Sequence, residues 1–190
     1  MLVKRILLLC ALSLSYSLTA SAQSVDFQSE NYVYRAVTVV DGLKDPWSLA
    51  FLPNGDMLVT ERPGRLRILR NGVLDPQPIS GTPSVRYQGQ GGLLEVALHP
   101  DFANNQLIYL TYSKPNADGS EGTTAVVRGK FDGKGLTGVQ EIFEAKAWST
   151  GGSHYGSRLA FDPKGYLFIT VGDRAADPLG VPREKHPAQN

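Results

Sequence analysis

Short runs of β-branched, aromatic and aliphatic residues recur along the chain after residue 23, each closed by a turn signal. No stretch in that region sustains the three-to-four-residue apolar spacing of a long helix, so the pattern predicts strands. Two runs match each other: Ser48-Leu-Ala-Phe-Leu-Pro-Asn-Gly-Asp-Met-Leu-Val-Thr60 and Arg158-Leu-Ala-Phe-Asp-Pro-Lys-Gly-Tyr-Leu-Phe-Ile-Thr170. Leu, Ala, Phe, Pro, Gly and Thr recur in register at an offset of 110. A looser third copy lies between them, from Leu94 through His99-Pro100-Asp101-Phe102 to the run Leu107–Tyr112. Each copy reads as strand, Pro-containing turn, strand. Proline presets φ for the turn, and Gly55 or Gly165 supplies a position tolerant of positive φ.

The anchors Pro53, Pro100 and Pro163 are 47 and 63 residues apart. Hairpin repeats of about 40–50 residues are the signature of a β-propeller, whose blades are four-stranded sheets. The longer interval fits an insertion, with Lys114–Gly122 as its loop. Asn71-Gly72 reads as the hairpin turn after Arg65–Arg70, and the basic stretch Arg62–Arg70 reads as a half-solvated strand. Thr123–Phe131 is a further strand ending at Asp132-Gly133. Tyr32–Val40 is expected to pair with the last blade and close the ring. Three anchors are too few for a ring of about 4–8 blades. Residues 23–190 therefore read as the N-terminal portion of a longer propeller domain, truncated at the C-terminus.

Composition adds a compartment. Lys4 and Arg5 precede the apolar run Ile6–Leu18, and Ala20-Ser21-Ala22 is a small-x-small cleavage site. Residues 1–22 thus read as a secretory signal peptide. The apolar run is short for a bilayer span of about 20 residues, so no stable membrane anchor is expected, and a periplasmic or secreted protein is. Cys10, the one cysteine, falls inside that run. The formal charge of +1, without a basic cluster, gives no electrostatic reason to expect nucleic acid.

Candidate chemistry gathers before the last repeat, in Gly151-Gly-Ser-His-Tyr-Gly-Ser-Arg158. If Pro163 faces Lys164 across the turn, His154 falls opposite Asp173, and a carboxylate beside an imidazole holds a general base in one tautomer. The repeat offers an internal comparison: the equivalent positions 110 residues earlier are Lys44 and Pro63, so the hairpin itself does not require the pair. On spacing alone, a surface His–Asp pair at a blade edge remains the simpler reading. Gln90, within Gly89-Gln-Gly-Gly92, could meet a ligand or sit in an ordinary glycine-rich turn. His99 reads as a turn residue, His186 has no visible partner, and Trp47 and Trp148 read as packing residues. Glu61, Asp101 and Asp118 have no metal-ligand spacing, so no metal site is expected in this chain.

Pro46-Trp-Ser-Leu-Ala-Phe51, Gly89 to Phe102, His154-Tyr-Gly-Ser-Arg-Leu159 and Gly172-Asp173 occur in this order in a known family. The chain resembles the soluble pyrroloquinoline-quinone (PQQ)-dependent sugar dehydrogenases, and most of all the periplasmic aldose sugar dehydrogenases of the glucose/sorbosone dehydrogenase type. That resemblance implies an all-β, six-bladed propeller of which this chain covers roughly the first half. It implies PQQ and calcium as cofactors, an aldose oxidised at C1 to its lactone, and an external electron acceptor. His154 would be the general base, Asp173 its orienting partner and Gln90 a group on the substrate side. The calcium ligands and most quinone ligands would lie beyond residue 190, leaving the fragment inactive alone. Ser153 stands where the glucose-oxidising members carry an aspartate, which suits a broader aldose range. Fold alone would also allow a non-catalytic exported propeller binding carbohydrate or protein, or a metal-dependent lactonase.

Overall fold

The structure is a computed structural model, and it describes residues 24–175. The signal-peptide segment and His186 lie outside the described residues.

Strands β1 (Ser24–Gln28) and β2 (Val33–Val37) form a unit of their own. They pair antiparallel from Ser24↔Val37 to Gln28↔Val33, with an Asp26–Arg35 ion pair of 2.6 Å across the ladder. Within the Tyr32–Val40 run, Val33–Val37 pairs with its immediate neighbour in sequence. Closing a short loop costs little entropy, and the alternation of Val25 and Phe27 with polar residues supplies a matching strand.

The second unit holds the repeats. Strands β3 (Pro46–Phe51), β4 (Met57–Glu61), β5 (Arg65–Arg70) and β6 (Val73–Leu74) form a four-stranded antiparallel meander. A second four-stranded sheet contains β7 (Leu93–Leu98), β8 (Leu107–Pro115), β9 (Gly122–Phe131) and β10 (Leu136–Glu144), with the single-turn helix α1 (Phe102–Asn105) between β7 and β8. Strands β11 (Gly156–Phe161) and β12 (Leu167–Val171) begin a third. These are two complete propeller blades and the opening hairpin of the next. Strand β7 packs against β3 and β4 on one side and β11 on the other, so the first strands of successive blades sit side by side. Between the sheets lie Leu58, Leu66, Ile68, Leu93, Val96, Ile108, Leu110, Ala125 and Val127. Burying side chains of this kind contributes about 1.5–3 kcal/mol each.

The predicted turns are present. Asn71 and Gly72 both have positive φ, 50° and 79°, as a type I′ hairpin turn requires. His99 serves its turn, its Nδ1 accepting from the Asp101 N–H at 3.0 Å. The insertion is distributed: β8 runs on to Pro115, so the loop itself is residues 116–121.

Strand β5 corrects an expectation. It is buried from Leu66 to Leu69, Arg67 included at 8% exposure. The reason is Glu61, whose side chain is fully buried at the end of β4. Its carboxylate accepts from Arg65 Nε at 2.5 Å and from the Lys44 N–H at 2.6 Å, with Arg67 at 3.4 Å. Burial pushes the Glu61 carboxyl up, but the Arg65 and Lys44 hydrogen bonds and the charges of Arg65 and Arg67 outweigh it and hold it below the usual range. A depressed carboxylate stabilises the fold above its unfolded pKa of about 4.3 and loses that contribution as pH falls through its lower folded value. Glu61→Gln is therefore expected to cost about 1–3 kcal/mol at pH 7. Urea unfolding should show the gap from wild type closing below about pH 4; a gap independent of pH would show that the charge is not what matters.

One irregularity positions the site. In β3, Pro46 pairs with Glu61 but Ser48 pairs with Thr60. In β7, Leu93 pairs with Tyr112 but Val96 pairs with Leu110. In β11, Gly156 pairs with Val171 but Leu159 pairs with Ile169. Each blade's first strand thus carries one extra residue, a β-bulge at the same end. A bulge of this kind shifts every side chain beyond it to the other face.

Candidate functional site

The turn joining β11 and β12 closes with the Asp162 N–H on Tyr166 O at 3.0 Å, and Phe161 pairs with Leu167. It is one residue longer than the expected Pro163–Lys164 pairing. The bulge then removes the difference, so that beyond Gly156↔Val171 the frame is the expected one. His154 and Asp173 consequently meet, with His154 Nδ1 2.5 Å from Asp173 Oδ1. An ionised carboxylate can only accept, so Nδ1–H donates and Nε2 is left as the basic nitrogen. The two side chains are 51% and 43% exposed, open enough to receive a substrate.

Gln90 joins them from the loop before β7. Its Oε1 accepts from the His154 N–H at 2.9 Å, and its own N–H donates to Gly152 O at 2.7 Å. The three site residues expected from the sequence, His154, Asp173 and Gln90, therefore form one cluster, drawn from two blades. Two glycines make the approach of backbones feasible. A Cβ on Gly89 would lie 2.6 Å from Gly152 O, and one on Gly172 would lie 2.0 Å from His154 O.

Beside the cluster is a cleft of about 100 Å³ lined by Trp47, Gln90, Leu94, His154, Tyr155 and Gly156. Trp47, expected to be a packing residue, is a wall of this cleft. It sits in the β3 bulge with the Arg158 guanidinium 4.6 Å from its ring centroid. Arg158 in turn donates to Glu95 at 2.5 Å, and Ser48 to the same carboxylate at 3.2 Å. Among the described residues no group of three His, Cys, Asp or Glu side chains could hold a metal ion.

Two residues escaped the sequence reading. Arg86 and Arg174, 8% and 2% exposed, lie under the segment that leads to His154. Arg86 donates to Thr150 O at 2.8 Å and Gly151 O at 3.2 Å, and also to Gly119 O and Ser120 O. Arg174 donates to Gly151 O at 2.9 Å, to Ser149 Oγ at 3.2 Å and to Ser153 O. Their partners are main-chain carbonyls, and for Arg174 also the Ser149 hydroxyl, all far away in sequence, which leave no pattern to read. The adjacency of Arg174 to Asp173 was the one available signal.

Residues 43–190 match the model of the glucose/sorbosone dehydrogenase family. The chain is 48% identical over 153 residues to an uncharacterized protein of Synechocystis sp. (strain ATCC 27184 / PCC 6803 / Kazusa), covering 76% of this chain and 37% of that protein. It is 44% identical over 148 residues to the aldose sugar dehydrogenase YliI of Escherichia coli K12, covering 76% of this chain and 40% of that one. The solved PQQ-bound aldose sugar dehydrogenase of Streptomyces coelicolor superposes with a TM-score of 0.63 at 27% identity, over 83% of this chain and 44% of that one. The chain thus spans about two fifths of the length of the curated relatives. It belongs to the glucose/sorbosone dehydrogenase family and shares the β-propeller fold of that family's solved structures.

Proposed function

We propose that the protein carrying this chain is an exported quinoprotein that oxidises aldoses at C1 to lactones, with His154 as general base. The observation that carries the reading is the 2.5 Å contact of His154 Nδ1 with Asp173, with the Gln90 amide on the same residue's N–H. Asp173 holds the imidazole in the Nδ1–H tautomer and stabilises the imidazolium formed when Nε2 takes the proton of the anomeric hydroxyl. Deprotonation makes C1 a better hydride donor. The Gln90 amide nitrogen can donate to a sugar oxygen beside that carbon. When bound, PQQ supplies the two-electron acceptor that no side chain offers. Calcium, which the family resemblance implies, would add Lewis acidity to the quinone.

The residues present fit one wall of such a site. They supply base, amide and indole, but the cleft of about 100 Å³ is smaller than the roughly 300–1,000 Å³ of ordinary small-molecule sites. The 190-residue chain is accordingly expected to be inactive alone. Export to the periplasm or beyond rests on the Lys4-Arg5, Ile6–Leu18 and Ala20–Ala22 pattern.

The test is a dye-linked assay of the full reading frame with added PQQ, calcium and several aldoses. Turnover that requires the quinone is expected. A folded protein silent toward every sugar, with or without quinone, would sink the proposal and leave a binding propeller.

A further inference from the structure

A buried guanidinium is an expensive residue. It carries five donors and a charge that is costly to take out of water, and an apolar side chain of similar volume often serves stability as well or better. Arg174 is 2% exposed, and its hydrogen bonds go to Ser149 Oγ and to the carbonyls of Gly151 and Ser153. Its guanidinium carbon stacks 3.4 Å from the centroid of the Tyr155 ring. Burial pulls its pKa below the ordinary arginine value. Retaining a charge there calls for a task other than filling space.

The task is visible in the peptide unit between Ser153 and His154. Its carbonyl accepts from Arg174 Nη1, and its N–H donates to Gln90 Oε1 at 2.9 Å. The plane is therefore clamped from both sides. The clamp acts on a conformation that does not hold itself, because His154 has φ 53°, in the left-handed region. Non-glycine residues stay there only when their surroundings over-determine them. The surroundings here are unusually complete. Thr150 O is held by Arg86, Gly151 O by Arg86 and Arg174, and Gly152 O by the Gln90 N–H. His154 O accepts from the Arg174 N–H at 3.2 Å, and Tyr155 O from Thr124 Oγ1 at 2.7 Å. Every carbonyl from Thr150 to Tyr155 has a partner, and the two buried arginines supply most of them.

We propose that Arg174, backed by Arg86, is a positioning residue that fixes the Ser153–His154 peptide plane and so holds the imidazole on Asp173. This rests on the reading of His154 as the base. The fork geometry is what matters, since Nη1 and Nη2 must reach different carbonyls at once, and a lysine keeps the charge without the fork.

The test compares wild type, Arg174→Lys and Arg174→Met in the full-length protein, by steady-state kinetics and by crystal structures. In both variants kcat is expected to fall about 10–100-fold, the scale of an ångström of misplacement, with the sugar KM changed less than about threefold. The His154–Asp173 contact should open beyond about 3.5 Å. Full recovery of kcat and of the contact in Arg174→Lys would overturn the positioning role in favour of charge alone. An intact contact with unchanged kcat in both variants would overturn it altogether. If Arg174→Met fails to fold, Arg174→Lys decides between the same outcomes. Should the wild type show no turnover, the dehydrogenase reading fails, while the structures still decide whether Arg174 holds the pair together.

Discussion

Replacing His154 with alanine is expected to lower turnover by about 10²–10⁴-fold, the contribution usual for a positioned general base, while the blade stays folded. The two halves of this expectation have separate grounds. The loss of turnover follows from the removal of Nε2, the one basic nitrogen at the cleft that Asp173 orients. The retention of the fold follows from exposure and from the main chain. The side chain is 51% exposed, so little apolar burial is lost. The bonds of His154 to Gln90 and to the Arg174 N–H are made by its backbone and survive the change. Initial rates in the dye-linked assay, set beside thermal unfolding followed by circular dichroism, check both halves. A variant that keeps its rate would return His154 and Asp173 to an ordinary surface pair.

Gly172→Ala is expected to have a large effect on stability, more than about 4 kcal/mol, a size reached by few single substitutions. The added Cβ would lie 2.0 Å from His154 O, 2.5 Å from its carbonyl carbon and 3.0 Å from the Gly156 nitrogen. All three are main-chain atoms, so no side chain can swing aside. The main chain on that side is pinned as well, by Gly156↔Val171 pairing and by the Arg174 N–H on His154 O. Relief requires β11 and β12 to separate where His154 and Asp173 meet, so residual activity should fall with stability. In the full-length protein, longer than the roughly 150–250 residues for which about 2–4 °C per kcal/mol applies, Tm should drop by several degrees. Gly165→Ala in the neighbouring turn is the comparison. Gly165 has φ +86° but nothing within 4 Å of an added Cβ, so only the left-handed backbone cost of about 1–2 kcal/mol applies. Equal losses in the two variants would show that the close crossing at Gly172 is not the cause.

Much of this protein was legible along the chain because the signals are local. A hairpin repeat is written in a few neighbouring residues: the alternation that forms two strands, and the Pro and Gly that turn them. The offset of 110 between Leu49-Ala-Phe51 and Leu159-Ala-Phe161 therefore revealed the blades. His154 and Asp173 were also legible, because they lie at the two ends of a single hairpin. Their meeting nonetheless depended on two departures from the simplest register. The turn at Asp162–Tyr166 is one residue longer, and the bulge between Gly156 and Leu159 takes that residue up again. A bulge has no fixed residue signature, so it shows only in the pairing of β11 with β12.

What the tertiary structure alone decided is which residues meet beyond the local hairpin turns. Gln90 was visible as a glutamine among glycines, but nothing along the chain tied it to the His154 N–H, 64 residues away. Trp47 read as packing material until the bulge in β3 brought it to the cleft wall. Arg67 read as half-solvated until Glu61 drew it inward. Arg86 left no signal and Arg174 only its place beside Asp173, since a side chain that binds carbonyls is indifferent to which residues own them. Periodicity and turn chemistry record what neighbours in sequence do to one another. The choice of distant partners follows from how the sheets pack, and it is there that the imidazole paired with Asp173 acquires its amide and its buried clamp.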